Sequence, residues 1–461
     1  MDTQTLWSLR LGFNGRHAAK IKNDGIKHFV EQSFAQKPDK TVPAFIANLP
    51  KTPDEIKTAG KKLKGNAEAG KKARLEETRV NLELKAWWID KMRKDEFPLL
   101  EKMVLFWHNH FVATFGKIRV NYWVYTHNMV LRENAFGNFR ELTKKVLYTN
   151  MMIKYLDNSS NIKGKYNENL SRELLELFTI GIGNYTEQDI KNGAMGLAGL
   201  TIGDTKAAYR PASENNEPFE YFGKKGNFKA DEMVDIIFQQ KNAPYHITEK
   251  VLKWFIYDNP PQNLVKYYGD YLREQDYEIK PFLLKIFTEE FDKPTAGSKI
   301  KDPLVFVLQL LDELDIKEID SKMVAQFAKG QGMDLFNQPN VKGWNGGTYW
   351  LATQIYLQRQ NVADLLCKNT IIDKRLLSVF GLDAGAAPKK FNIKLDWDKK
   401  GDNKQIIAGL KNRLLFQVDP SLQDDFETML RYDFNPNAEG AENGVLRLFN
   451  FMVKTPEFQL I

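Results

Sequence analysis

Apolar residues recur every third or fourth position along most of the chain, and runs that alternate every second residue are few and short. That period belongs to helices with one buried face. The segments EMVDIIFQQKN (232–242), HITEKVLKWFIYD (246–258), PLVFVLQLLDELD (303–315) and ENGVLRLFNFMVKTPEFQLI (442–461) each read as an amphipathic helix of ordinary length. The pattern predicts a mainly α protein, a large multi-helix globular fold with long loops and at most a small amount of strand. Its best strand-like alternation is FNIKLDWD at 391–398. Pro, Gly, Asn and Asp cluster at 48–55, 210–227, 258–262 and 382–390, where the helices should break. No repeat of fixed period is visible, which argues against a helical solenoid. A main helical domain over 1–382 and a C-terminal helical segment over 383–461, packed on it, are the expected divisions.

Composition narrows this picture. With 461 residues, 43% hydrophobic and 12% aromatic, the chain has ample material for a large core. Its net charge of +7 is a small excess of 66 basic over 59 acidic residues, so nucleic acid is not an expected partner. The densest basic run, KTAGKKLKGNAEAGKKARLEETR at 57–79, carries no aromatic residue on which a base could stack. Low hydrophobicity and high charge predict a solvated, mobile insertion over about 51–80. Cys367 is the single cysteine, which excludes an intrachain disulfide and a cysteine-based zinc site. Neither a secretory leader nor a transmembrane segment is evident, so the chain as written is expected in the cytoplasm, with envelope association left open.

The residues that could carry chemistry start with PLLEKMVLFWHNHF at 98–111, where Pro98 suits a first helical turn and Leu100, Val104, Trp107 and Phe111 form one stripe. His108 and His110 stand about 200° apart on such a helix and converge on one ion only where the helix ends. In YNENLSRELLELFTIGIGNYTEQDI (166–190), Asn167 or Asn169 can cap a helix over about 168–180, and Gly181 supplies its stop. Glu173 borders the apolar arc of Leu170, Leu174, Leu175, Leu177 and Phe178, so it is the carboxylate most able to reach the interior. Glu168, Arg172 and Glu176 are spaced as a solvated ion-pair ladder. Thr186 and Asp189 approximate a capping box, opening a Gly- and Ala-rich helix that should lie close to a neighbouring backbone.

His127, Asp157, Asn158 and Arg359 are polar residues in apolar surroundings, each read first as a satisfied core or surface group. In LFNQPNVKGWNGGTYWLAT (335–353), Gly343, Gly346 and Gly347 alternate with Trp344, Tyr349 and Trp350. Such rings either plug a core or stack on the CH face of a sugar, and core plugging is preferred. No phosphate-cradling loop, nucleophile elbow or His-Glu-x-x-His helix is present.

The motifs FWHNHF, GNFREL…YLDN, NENLSRELLELFTIGIGNYTEQDI, FNQPNVKGW and the terminal KTPEFQLI together resemble the bacterial family catalogued as domain of unknown function 1800. The resemblance runs from LRLGFNG (9–15) to the last residue. It implies a helical bacterial protein without an assigned reaction, often encoded beside a sulfatase-like or phosphatase-like companion. Relatives commonly carry His where this chain has Phe178, a His-Asp pair where it reads PFEYFGKKGNF (218–228), and Trp where it has Leu200. If those histidines complete a metal site, two ligands are missing here.

Two functional expectations follow. In the first, His110 or His108 acts with Glu173, and with Asp157, as an acid-base set or as ligands of a divalent metal, in a hydrolase for a polar, glycan-like substrate. In the second, the protein is a non-catalytic helical partner or scaffold for the sulfatase-like or phosphatase-like companion. Arg172, Glu168, Glu176, Asn167, Asn169, Trp344, Trp350 and Arg359 then serve structure or binding.

Overall fold

The Leu99–His110 helix is the spine of the molecule, with every residue buried except Asn109. Charged residues in such a position require partners. Glu101 is met by Arg132 and by the Trp88 indole N–H at 2.9 Å, and Lys102 by Asp302 at 3.0 Å. These contacts fasten the spine to the Ala67–Lys94 and Asn121–Glu133 helices and to the Pro303–Glu313 helix.

A computed structural model describes residues 1–367 and 391–461, and they are mainly helical. The strands among them are two antiparallel hairpins, Leu200–Thr201 with Ala208–Tyr209 and Phe219–Tyr221 with Lys224–Gly226. One contiguous apolar cluster runs through the described residues, from Leu6 to Ile461. The boundary expected at 382/383 lies outside the described residues. Residues 391–461 contribute three α-helices, Asn403–Leu414, Pro420–Met429 and Ala441–Lys454, the last packing along Thr353–Cys367. Both ends of the chain are tied into the fold, Asp2 N–H donating to Asn412 O at 2.8 Å and Ile461 exchanging backbone bonds with Lys299.

Most predicted helices occur, displaced by a few residues: Ala230–Phe238, Ala243–Phe255, Pro303–Glu313 and Ala441–Lys454. One expectation takes a definite form and one is corrected. The basic stretch at 51–80 is a helical hairpin, Pro53–Leu63 against Ala67–Lys94. Its Ala, Glu, Lys, Arg and Leu residues are strong helix formers, and a capping box between Thr52 and Glu55 with Pro53 at the first turn starts it. The alternating stretch 391–398 is not a strand. Its backbone finds Leu314 O for Lys394 N–H but no strand to pair with among the described residues.

Candidate functional site

The helix opened by Asn169–Glu173 continues as a π-helical turn over Leu174–Thr179. Widening is visible in the hydrogen bonds, because Ile180 and Gly181 N–H both reach back to Leu175 O, and the Thr179 hydroxyl takes Leu174 O at 2.5 Å. π-Turns often mark functional sites. Here the turn leaves the carbonyls of Leu177 and Phe178 to side chains of other helices.

Three side chains answer them. His110, the last residue of the spine helix, donates from Nε2 to Phe178 O at 3.0 Å. His246 donates from Nε2 to Leu177 O at 3.1 Å, and Lys250 Nζ donates to the same oxygen at 2.7 Å. With its proton on Nε2, His110 presents Nδ1 as an acceptor, and Lys250 Nζ lies 3.3 Å from it. His246 and Lys250 are one turn apart on the Ala243–Phe255 helix, so both reach the same carbonyl. Basic side chains on free carbonyls cap a helix C-terminus.

Burial sets the charge on these groups. Desolvation brings Lys250 from the ordinary lysine value down to about 7, against a smaller opposing pull from Glu249. His246 falls to about 4 through burial and the neighbouring Lys250. His110 is held well below the usual imidazole value, chiefly by burial, with Lys250 and His246 adding to it. Two of the positions around Lys250 Nζ are thus committed to fixed acceptors. One position is left uncommitted.

Lys250 lines a cavity of about 470 Å³ between the Ala243–Phe255 helix and the 342–350 loop. The loop is docked on the end of the spine helix, where Trp344 N–H donates to Asn109 Oδ1 at 2.8 Å and Gln338 Nε2 to His108 O at 2.8 Å. Gly343 is required there, with φ +93° and a Cβ that would stand 2.4 Å from Asn109 Oδ1. Trp254, Trp344 and Trp350 all line the cavity with their rings, and the indole N–H of each is buried without a hydrogen-bond partner among the described residues. A buried donor left so costs about 1–3 kcal/mol.

The expected residues divide around this site. His110 belongs to it, as do Trp344 and Trp350, which are buried yet face the cavity, while Tyr349 is exposed. His108 points elsewhere. Its Nε2 accepts Phe336 N–H at 3.1 Å, and its ring packs against Trp88, Phe336 and Trp344. Glu173 is half-buried, its carboxyl raised by desolvation and Glu176, and its side chain has no hydrogen bond or ion pair among the described residues. The hydrogen-bond partners of His110 are Phe178 O and Lys250 instead. Phe178 itself sets a ring, not an imidazole, 6.1 Å from the His110 ring.

Among the described residues no group of three or more His, Cys, Asp or Glu side chains is arranged to hold a metal ion. Asp157 is exposed and pairs with Lys117 at 2.6 Å, away from the cavity lining.

The remaining candidates have structural partners. Asn167 Oδ1 accepts Asn169 N–H, Asn169 Nδ2 donates to Leu156 O, and Asn158 Nδ2 bonds Leu197 O and Leu200 O. Arg172 joins Glu168, Glu176 and Glu187 in the surface ladder. Arg359 is fully buried and donates to Gln331, Gln459 and Lys301 O. His127 lies between Thr149 Oγ1 and Phe111 O. The Gly-rich helix begins with the Thr186–Asp189 capping box and ends at Leu197, its Gly193 and Gly196 backed by Ser171 and Met233.

His246, Lys250, Lys253 and Trp254 escaped the sequence reading, which took 246–258 only as an amphipathic helix. The available signal was a polar stripe of His246, Lys250 and Trp254 at four-residue intervals.

The chain belongs to the family described as "Protein of unknown function (DUF1800)", whose model matches residues 4–460. No curated protein and no solved structure matches it. No helix among the described residues is long and apolar enough to cross a membrane.

Proposed function

We propose that this protein is an acid-base hydrolase for a polar, glycan-like substrate, with Lys250 as the proton-exchanging group and His110 as the residue that positions it. The observation that carries the reading is Lys250 Nζ, held on Leu177 O and His110 Nδ1 at the wall of the cavity. In its neutral form the amine keeps both hydrogen bonds and has a lone pair left to take a proton from an attacking water. As ammonium it returns that proton to the leaving oxygen. A pKa of about 7 suits both halves of the cycle. A purely structural cap needs no cavity beside it, which favours the hydrolase over the scaffold reading.

The test is a panel of glycans and glycan esters with the wild type, Lys250→Met and His110→Ala. Turnover should fall by about 100-fold or more in Lys250→Met, and the pH profile of kcat/KM should bend near 7 in the wild type. Competitive labelling of amines by acetic anhydride near neutral pH supplies a readout without substrate. Lys250 should label ahead of the surface lysines, and labelling at the ordinary lysine rate, or full turnover by Lys250→Met, would overturn the proposal.

A further inference from the structure

We infer that His246 is a second positioning residue for Lys250, acting through the backbone carbonyl on which both side chains converge. This rests on the proposed function for the role of Lys250 and adds what holds the amine in place.

The shared acceptor is Leu177 O, which takes His246 Nε2–H at 3.1 Å and Lys250 Nζ at 2.7 Å. A backbone carbonyl has two lone pairs, so these two donors fill it. The donors are not alike. An imidazole N–H points where its ring points, whereas a lysine amine turns on a flexible four-carbon stem. His246 therefore claims one side of the oxygen and leaves Lys250 the other. On that side Nζ lies 3.3 Å from His110 Nδ1, so the amine sits between two acceptors whose places are set by other side chains.

The His246 ring is itself held. Gly181, with φ +82°, lies so close that a Cβ there would stand 3.0 Å from the ring Nδ1. The turn that carries Gly181 is tied down by Asn184, whose Nδ2 donates to Ile180 O at 2.8 Å and whose Oδ1 accepts from Asn242, at the start of the Ala243–Phe255 helix. Nδ1 thus packs on the turn while Nε2 is spent on the carbonyl.

Charge follows from the same contact. Burial lowers His246 to about 4, so near neutral pH it is an uncharged donor. An ammonium draws more from a carbonyl than a neutral amine does, and a carbonyl already shared offers it less. The other charged or titratable groups on the cavity wall are His110, Glu249, Lys253, Asp258, Lys299 and Lys342, and of these Glu249 moves Lys250, upward. Filling Leu177 O is the contribution of His246 to keeping the amine neutral.

The experiment follows the titration of the Lys250 side chain by NMR in the full chain, for the wild type, His246→Leu and His246→Gln. Leucine fills the space without a donor, and glutamine returns an N–H near the place of Nε2. His246→Leu should raise the Lys250 midpoint by at least about half a pH unit, about a threefold change in the ratio of amine to ammonium, and His246→Gln should bring it back. A merely structural histidine would lower the melting temperature of both variants and leave the midpoint where it is. The wild type supplies a reading that needs no variant. The ring 15N signals of His246 should report the Nε2–H tautomer, and that N–H should shift at the Lys250 midpoint, because both donors sit on one oxygen.

An unmoved midpoint in a folded His246→Leu, or a His246 N–H blind to the titration of Lys250, would overturn the inference and leave the hydrolase proposal standing. A glycan panel without turnover, beside a midpoint that His246→Leu does move, would sink the hydrolase alone.

Discussion

Replacing Gly343 by Ala is a local test of how the cavity wall is built. Gly343 has φ +93°, where an L residue is strained by about 1–2 kcal/mol. The added Cβ would also stand 2.4 Å from Asn109 Oδ1 and 2.8 Å from Asn109 O, both closer than real Cβ atoms approach. Relieving that clash breaks the 2.8 Å bond from Trp344 N–H to Asn109 Oδ1, worth about 1 kcal/mol. With some loss of Trp344 packing, the sum is about 3–4 kcal/mol. Gly347→Ala is the control. Its φ is +54° and nothing lies within 4 Å of the new Cβ, so only about 1 kcal/mol of strain is expected. Urea unfolding of both variants, with tryptophan fluorescence as the probe, gives the comparison. Equal losses in the two variants would refute the docking of this loop on the spine helix.

Three further outcomes are expected. For Lys250 the folded value of about 7 lies below the unfolded one, so between them the unfolded chain holds the extra proton and stability rises with pH. Lys250→Met should remove up to about 1.4 kcal/mol per pH unit of that slope, less what cavity water screens, and unfolding midpoints with unchanged slopes would contradict this. His127 is fully buried with its value lowered to about 4 from 6.5, so stability should be lost as pH falls from 6.5 to 4, by about 3 kcal/mol for this group. His127→Asn should flatten acid unfolding over that range, and an unaltered acid midpoint would count against a neutral buried imidazole. Arg172→Ala removes a surface ladder whose members are 21% to 67% exposed, and thermal unfolding should register a loss below about 1 kcal/mol.

Period and capping chemistry made the helices legible. Thr186 and Asp189 opened a helix where they should, and the Arg172 ladder followed from spacing alone. Half of the site was legible in the same way, because His110 and the Trp344 and Trp350 loop stood out by residue type. Convergence was not legible. A wheel drawn at a constant angle per residue cannot foresee the π-turn at Leu174–Thr179, which hands Leu177 O and Phe178 O to His246, Lys250 and His110. Lys250 carries an ordinary letter in an amphipathic helix, and only its surroundings make it unusual. At 51–80 the charged run is exposed and helical, because helix-forming side chains outweigh repulsion. Alternation misled at 391–398, because a strand exists only with a partner.

The most direct test is an NMR titration of the Lys250 side chain, assigned with Lys250→Arg. A midpoint near 7 is expected, because burial beside His110 and His246 disfavours the ammonium. A midpoint in the ordinary lysine range would contradict the central claim that Lys250 is the proton-exchanging group.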